Sequence, residues 1–170
     1  MAIQNAEELF IALLSDLRDS ESRLVRLTDN LSQQAQDPDV KNILSVRSYL
    51  TQQAVNNIDK CFQLLGKQPV QSTSRFKEVW ADDTERELNA IQGPVARNLY
   101  ALMKIRTIQN FHLGEYAALV AMASYAGNLA VTTLLGHNLA DKVEFVERTR
   151  ELFREMARQA LMGRAAGKAA

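Results

Sequence analysis

The polar residues that could do chemistry in this sequence lie on helix faces that their apolar neighbours predict to be buried. Residues about three or four apart in an α-helix share one face. Gln109, His112 and Tyr116 follow one another at this spacing. They share their face with Ile105 and Leu119. Because burying an unpaired polar group is costly, we expect these side chains to pair with others or to hold a ligand.

Three charged side chains are predicted to reach the same interior from other helices. Glu21 lies at the edge of a leucine stripe, and Lys142 falls among the apolar residues of the last helix. Arg47 lies between Leu44 and Val55 on a face predicted to be buried. Counted in helical turns from the connections, these groups have similar heights. The sequence therefore predicts one buried polar cluster that contains Glu21, Arg47, Gln109, His112 and Lys142.

This cluster contains one carboxylate and one imidazole, which are side chains that bind divalent metals. Glu21 and His112 are therefore the expected metal ligands if a metal is retained. The other interpretation is a charge network that satisfies itself, with His112 as a core histidine hydrogen-bonded to a neighbour. The sequence has no HExxH, no CxxC and no glycine-rich phosphate loop, and we assign no catalytic residue.

Charge and cysteine content exclude several classes of function. Lys and Arg number 20 and Asp and Glu number 20, so no net field favours nucleic acid or an anionic membrane. Cys61 is the single cysteine, and the first residues show no signal-peptide pattern, so we expect a cytoplasmic protein. The dipeptide Gly127-Asn128 interrupts the charge-free run Tyr116–Ala140, which we interpret as two buried helix ends at a tight turn.

Long apolar stripes with few helix breakers predict that the chain is all-α. Asp37 is expected to cap the second helix, and Gly66 is expected to end it. A loop is expected over residues 69–74, and residues 163–170 are expected to fray. The expected helices are Ala6–Gln36, one between Asp37 and Gly66, Arg75–Ala90, one from Gly93-Pro94 to Ala126, and one from Gly127-Asn128 to Met162.

The connections between these helices favour one topology. Short turns join the helices in two pairs, whereas the 27 residues Lys67–Gly93 join the pairs to each other. A simple up-down-up-down bundle needs no such crossover, but a ferritin-like bundle does. We therefore predict an all-α, ferritin-like four-helix bundle, with two helical hairpins joined by a long crossover that contains a short helix. Residues 1–170 are expected to form a single domain of this kind.

Three segments resemble a known family, the ferritin-like domain family of unknown function that includes the bacterial stress proteins YciE and YciF. The resemblance covers residues 7–155, and the order and spacing of the segments carry it. The segments are ELFIALLSDLRDSESRL in the first helix, NNIDKCFQLLGKQP at the end of the second, and FHLGEYAALVAMASYAG in the third long helix.

This resemblance implies a dinuclear metal site built from acidic residues and a His or Gln on the inner helix faces. Glu21 matches the glutamate of the first helix, and Gln109 and His112 match a pair of glutamates in the third. Only Glu21 keeps its carboxylate. The remaining acidic or Gln positions of the family fall near Leu50, Ala54, Lys142 and Val146.

These substitutions predict that the paired-metal centre has been lost. Two divalent cations need several anionic ligands, whereas Arg47 and Lys142 bring positive charge here. An ammonium or guanidinium can take the place of a cation and pair with Glu21. We therefore expect a stress-associated protein with a degenerate metal site, an internal ion-pair network, no cofactor and no enzymatic activity. We expect it to form a homodimer and to bind neither nucleic acid nor membrane, with an unidentified protein partner left open.

Two alternative functions remain open. The first is a metal-binding oxidase or metal-storage protein with an altered, mononuclear site at Glu21 and His112 that holds iron or another divalent metal. The second is a protein that binds a lipid or small ligand through the charge-free run Tyr116–Ala140, and it requires a cavity.

Two His–carboxylate pairs and one charged stretch are expected at the surface. His137 with Asp141 and His112 with Glu115 have the spacing of metal ligands on a helix, but such pairs are common by chance. Glu and Arg alternate over residues 147–158, which predicts a solvated face that pairs with itself, or a dimer contact.

Overall fold

The computed structural model describes residues 3–71 and 76–166, and these residues form five helices. Within these residues there is no β-strand, which confirms the prediction of an all-α protein. The helices are α1 Ala6–Gln34, α2 Pro38–Leu65, α3 Phe76–Ala90, α4 Pro94–Tyr125 and α5 Leu129–Ala166.

Capping residues explain where the first two helices begin and end. The Asn5 side chain accepts a hydrogen bond from the Glu8 backbone N–H at 2.9 Å and starts α1. Asp37 caps α2 by accepting hydrogen bonds from the backbone N–H groups of the next turn, as predicted. Gly66 ends α2 with φ of 62°, in the left-handed region that glycine favours. The predicted cap at Asp37 and the predicted end of the helix at Gly66 are both confirmed.

The helices pack as two hairpins with α3 laid across one side. Helix α1 packs against α2, and α4 packs against α5. The hairpins meet through contacts of α2 with α5 and of α1 with α4. Helix α3, which belongs to the long connection, lies against α1 and α4. Each of the four long helices therefore contacts two others and presents an inner face to the same interior.

Two apolar clusters fill this interior, and a polar layer separates them along the helix axes. The first cluster contains Phe10, Leu14, Leu17, Ile58, Phe62, Leu119 and Leu135 among others. The second contains Leu24, Leu27, Leu31, Leu44, Leu102, Ile105 and Phe145 among others. Glu21 on α1 and Lys142 on α5 each lie between a residue of one cluster and a residue of the other. The predicted polar cluster therefore occupies a single level of the interior.

The charge-free run is divided by a turn, as the sequence indicated, but the expectation that buried helix ends meet there was wrong. Tyr125 and Leu129 are 94% and 77% exposed, because the turn lies beyond Ala123 and Val131, the last buried residues at these ends of the two helices. Helix α4 ends at Tyr125 and α5 begins at Leu129, with Gly127 at φ 75° in the turn between them. No helix within residues 3–71 and 76–166 is long and apolar enough to cross a membrane.

Several predicted boundaries were wrong by a few residues. Helix α1 ends at Gln34 rather than Gln36, because Ala35 is already extended at φ −67° and ψ 127°. Helix α5 continues to Ala166, so residues 163–166 are helical rather than frayed. Arg164, Ala165 and Ala166 are good helix formers that favour the extension, although Gly163 is not. The rest of the expected frayed tail, residues 72–74 of the expected loop and the predicted start of the short helix lie outside the described residues.

Replacing Gly66 and Gly114 with alanine should change stability in opposite directions. At Gly66 the positive φ strains any L side chain, so Gly66→Ala should lower the free energy of unfolding by about 1 kcal/mol. Gly114 lies inside α4, where an added Cβ meets no atom within 4 Å, so Gly114→Ala should raise it by about 0.5–1 kcal/mol. Urea unfolding of both variants measures these changes, and shifts of the same sign would contradict the two local conformations.

Candidate functional site

The centre of the polar layer is an ion pair between α1 and α5. The Lys142 Nζ lies 2.7 Å from the Glu21 Oε1, and both side chains have no solvent exposure. The same ammonium donates a hydrogen bond of 2.8 Å to the Gln109 Oε1 on α4. It also lies 5.3 Å from the centre of the Tyr116 ring. One cation therefore connects three helices.

His112 joins the pair from α4. Its Nδ1 lies 3.3 Å from the Glu21 Oε1, the oxygen that also faces Lys142. Its Nε2 is hydrogen-bonded to the Ser20 Oγ at 2.7 Å. The Glu115 Oε2 lies 4.0 Å from the same Nε2. The imidazole is thus held on both sides by neighbouring residues of α1 and approached by a carboxylate of its own helix.

Arg47 enters the layer from α2 and contacts different groups. Its Nε donates a hydrogen bond of 2.9 Å to the Thr51 Oγ1, whose hydroxyl in turn donates to the Arg47 carbonyl oxygen at 2.8 Å. The guanidinium carbon lies 5.3 Å from the centre of the Phe145 ring, which places a cation over an aromatic face. Only 1% of Arg47 is exposed, so this charge is buried as completely as those of Glu21 and Lys142.

The charges of the layer act on one another because water is excluded. Burial raises the pKa of Glu21, but Lys142 and its other cationic neighbours outweigh this effect and hold it well below the ordinary value. Burial lowers the pKa of Lys142 to about 8, against the opposing attraction of Glu21. Burial also lowers the pKa of Arg47, and the charges of Glu21 and Asp141 oppose the shift. Glu21 is therefore an ionised carboxylate at neutral pH, with an ammonium as its direct partner.

A second set of polar groups connects α2, α4 and α5 next to this pair. The Asn57 side chain donates a hydrogen bond of 2.8 Å to the Asn138 Oδ1. Asn138 donates to the Ala54 carbonyl oxygen at 3.3 Å and to the Tyr116 hydroxyl at 3.4 Å. Burial and the charge of Glu21 raise the pKa of Tyr116 well above its ordinary value, so the phenol stays protonated. The polar layer is consequently wider than the five residues predicted from the sequence.

All five predicted residues lie in the interior, but the sequence missed some of their partners. Ser20 holds His112, and its position three residues after Leu17 and four before Leu24 could have placed it on the inner face. The expectation of a surface position for His112 and Glu115 was wrong, because His112 has no exposed surface. His137 is 68% exposed and lies 3.7 Å from Asp141, so that pair is at the surface as expected.

The stretch of alternating charges on α5 pairs with itself as predicted. Arg150 lies 2.6 Å from Glu147, and Arg158 lies 2.7 Å from Glu155. Each pair joins residues one helical turn apart on an exposed face. In the single chain this stretch is an exposed helix surface, and the alternative, a dimer contact, stays a prediction.

The donor set does not fit a dinuclear metal centre. In the part of the chain that the structure describes, no group of three or more His, Cys, Asp or Glu side chains could hold a metal ion. Glu21 and His112 are the two metal-binding side chains at the centre that have no solvent exposure, and the Lys142 ammonium already faces the Glu21 oxygen. Two hard divalent cations require several carboxylates to offset their charge. One carboxylate beside two buried cations cannot supply this.

Comparison with known proteins supports the family that the sequence motifs resemble. Residues 5–162 match the family described as a domain of unknown function, DUF892. No curated protein matches the chain in sequence. The fold is similar to the Escherichia coli stress protein YciF, with 15% identity, a TM-score of 0.87, and 92% of this chain and 99% of that one covered.

Two further solved structures have the same fold. One is YcfI, a putative structural protein from Rhodopseudomonas palustris, with 18% identity and a TM-score of 0.82, covering 87% of this chain and 94% of that one. The other is a protein from Xanthomonas campestris, with 15% identity and a TM-score of 0.73, covering 95% of this chain and 99% of that one. At these identities the likeness establishes the fold alone.

Removing the Glu21 charge alone should destabilise the protein more than removing both charges of the central pair. Glu21→Gln keeps the shape but leaves Lys142 buried without its counter-charge, which should lower the free energy of unfolding by about 3–5 kcal/mol. Lys142→Met should lower it less, because burial already disfavours the ammonium, and the double variant should lose less than Glu21→Gln alone. Urea unfolding of the four proteins measures the coupling. The exposed pair Arg158 and Glu155 is the control, and equal coupling in both pairs would contradict the assignment.

Lys142 should make stability rise with pH in the alkaline range. Its pKa is lowered from the ordinary 10.5 to about 8 in the folded protein, so between these values the folded state has released a proton that the unfolded state still binds. The free energy of unfolding then rises with pH. Urea unfolding at pH about 7.5 and about 9.5 should show this rise in the wild type and a smaller one in Lys142→Met. A rise of equal size in both proteins would assign it to other groups.

Proposed function

The chain belongs to the DUF892 family, and from that membership we propose a ferritin-like four-helix bundle in which an internal ion-pair network has replaced a dinuclear metal centre. The hairpins α1–α2 and α4–α5, joined by the connection that contains α3, support the ferritin-like topology. The level of the polar layer, midway between two apolar clusters, is where bundles of this kind carry their metals.

The observation that carries the proposal is the contact between Lys142 and Glu21. An ammonium 2.7 Å from a fully buried carboxylate supplies the positive charge that a metal ion would otherwise supply. Without such a partner, the ionised Glu21 would cost several kcal/mol in the apolar interior. Lys142 thus lets the chain retain the glutamate after the metal has been lost.

The other residues of the layer also support the replacement of a metal centre by an ion-pair network. At the positions that match a pair of family glutamates, Gln109 and His112 replace two carboxylates by neutral or weakly basic groups. Arg47 adds a second buried cation. The Arg47 Nη1 and the Gln109 Nε2 form no hydrogen bond within the described residues, which is costly for buried donors. A layer shaped for stability alone would use apolar side chains here.

We propose a role in a stress response without catalysis or a resident cofactor, in the cytoplasm. The solved relative from Escherichia coli is described as a stress protein, and the one from Rhodopseudomonas palustris as a putative structural protein. A bundle whose centre is occupied by its own ion pair suits a structural or partner-binding role.

We also propose that the protein is a homodimer. Leu161 and Met162, near the end of α5, are 68% and 64% exposed, and a second copy that covered them would bury apolar surface.

One distance favours the alternative of a mononuclear metal site. Two ligands about 2.1 Å from a tetrahedral metal are about 3.4 Å apart, and the Glu21 Oε1 and the His112 Nδ1 are separated by 3.3 Å. A metal there would have to displace the Lys142 ammonium from the same oxygen. The alternative therefore predicts competition between metal binding and protonation of Lys142.

Metal content distinguishes the two proposals. Protein purified without chelator and incubated anaerobically with Fe²⁺, and in parallel with Zn²⁺, should retain far less than about one metal ion per chain after desalting. Elemental analysis by mass spectrometry measures this. His112→Ala should leave the low metal content unchanged, and His137→Ala, at an exposed histidine, is the matched control.

Two other results of the metal analysis would contradict the proposed loss of the metal centre. About two metal ions per chain would overturn the replacement of a dinuclear centre. About one ion per chain that is lost in His112→Ala but kept in His137→Ala would establish the mononuclear alternative.

A further inference from the structure

The end of the molecule where α1 begins contains a pocket of about 550 Å³. Phe10, Ile11 and Ala123 line it and are buried, so they form its floor. Leu65 from the end of α2 and Met122 from the end of α4 complete an apolar wall. The pocket shares no residue with the polar layer, so ligand binding here would be independent of the proposed function.

The mouth of the pocket has opposite charges on one side. The Lys67 Nζ lies 2.8 Å from the Glu7 Oε1, and these side chains are 48% and 68% exposed. Lys67 lowers the pKa of Glu7, and Glu7 raises the pKa of Lys67, so both side chains stay charged at neutral pH. Asn128, in the turn between α4 and α5, adds a neutral polar group to the lining. Tyr125 also lines the pocket and is 94% exposed, so its ring stands at the mouth.

The dimensions and lining fit a small molecule. Pockets for such ligands usually have volumes of about 300–1,000 Å³, apolar walls and a few polar groups that orient one end of the ligand. The five apolar side chains of the floor and the wall favour an apolar body, because burying methylene groups against them removes apolar surface from water. A flexible residue such as Met122 can adapt to the shape of an alkyl chain.

The charge pair at the mouth selects the head group. An anionic head that binds Lys67 would meet the carboxylate of Glu7, and a cationic head that binds Glu7 would meet the ammonium of Lys67. A hydroxyl accepts a hydrogen bond from Lys67 and donates one to Glu7 without separating the pair. We propose that this pocket binds a small neutral amphiphile, with its alkyl body on the apolar floor and its hydroxyl head between Glu7 and Lys67.

This proposal gives a function to the charge-free part of the sequence. Met122, Ala123 and Tyr125 belong to the run Tyr116–Ala140, which lacks charges where α4 turns into α5. Leu129, the first residue of α5, is 77% exposed at the same end. An apolar ligand entering from solvent would cross this rim before it reaches the buried floor.

Fluorescent displacement tests the proposal on the full chain. N-phenyl-1-naphthylamine, a neutral dye that brightens in apolar sites, should bind saturably with one site per chain. 1-Dodecanol, used below its solubility limit, should displace the dye at lower concentration than dodecanoate or dodecyltrimethylammonium does, by about tenfold or more. Light scattering on the same samples records the molecular mass with and without dodecanol.

Variants locate the binding. Ala126→Trp and Ala6→Trp each place an indole against the pocket from an exposed position and should weaken dodecanol binding by about tenfold or more. Ala118→Trp, at an exposed position of α4 outside the pocket, should leave it unchanged. Lys67→Gln leaves Glu7 without its counter-charge and should make dodecyltrimethylammonium the preferred ligand, whereas Lys60→Gln should not.

Four outcomes would overturn the proposal. The first is the absence of saturable dye binding, and the second is tighter binding of dodecanoate or of the cation than of dodecanol in the wild type. The third is dodecanol binding that survives in both tryptophan variants of the pocket. A mass twice that of the chain that falls to one chain as dodecanol binds would mean that a second copy covers this end, and would also overturn it.

Discussion

The rest of the interior depends on the burial of one carboxylate and one ammonium at a distance of 2.7 Å. Burial disfavours both charges, because removing an ion from water is costly, and each charge offsets part of that cost for the other. Lys142 reaches from α5 to meet Glu21 on α1, and Gln109 on α4 takes a further hydrogen bond. The pair therefore fixes the relative height and rotation of three helices. Arg47 adds a charge from the fourth long helix.

The polar layer also explains how the core is divided. Two apolar clusters lie above and below the layer, and each contains buried residues from the same four long helices. Apolar packing alone would permit neighbouring helices to slide by one turn, since a leucine stripe looks similar after such a shift. A slide of that kind would separate Glu21 from Lys142 and leave both unpaired. The layer thus contributes specificity of register, at some expense in stability, as buried polar groups do in other helical assemblies.

The same geometry sets what the centre can do chemically. A carboxylate held in the ionised state beside an imidazole is the beginning of a metal site, and 3.3 Å between Glu21 and His112 is a suitable separation. The ammonium on the same oxygen turns it into a closed ion pair. A cation from solvent could bind this oxygen only by displacing the Lys142 ammonium. The end pocket lies far along the helices from this centre, so a ligand there would not contact the ion pair.

The sequence by itself determined the helices, their caps at Asp37 and Gly66, the family and the inward position of the five polar residues, because these follow from periodicity and local hydrogen bonding along one chain segment. It did not determine the end of α5, where tail residues remain helical. Nothing in it indicated that Lys142, rather than Arg47, would pair directly with Glu21, or that Ser20 would hold His112. Nor did it reveal the pocket between the start of α1 and the end of α4. These features depend on distances between residues far apart in the chain. Such distances are decided by how four helices pack, and the residue pattern of a single helix contains no information about that packing.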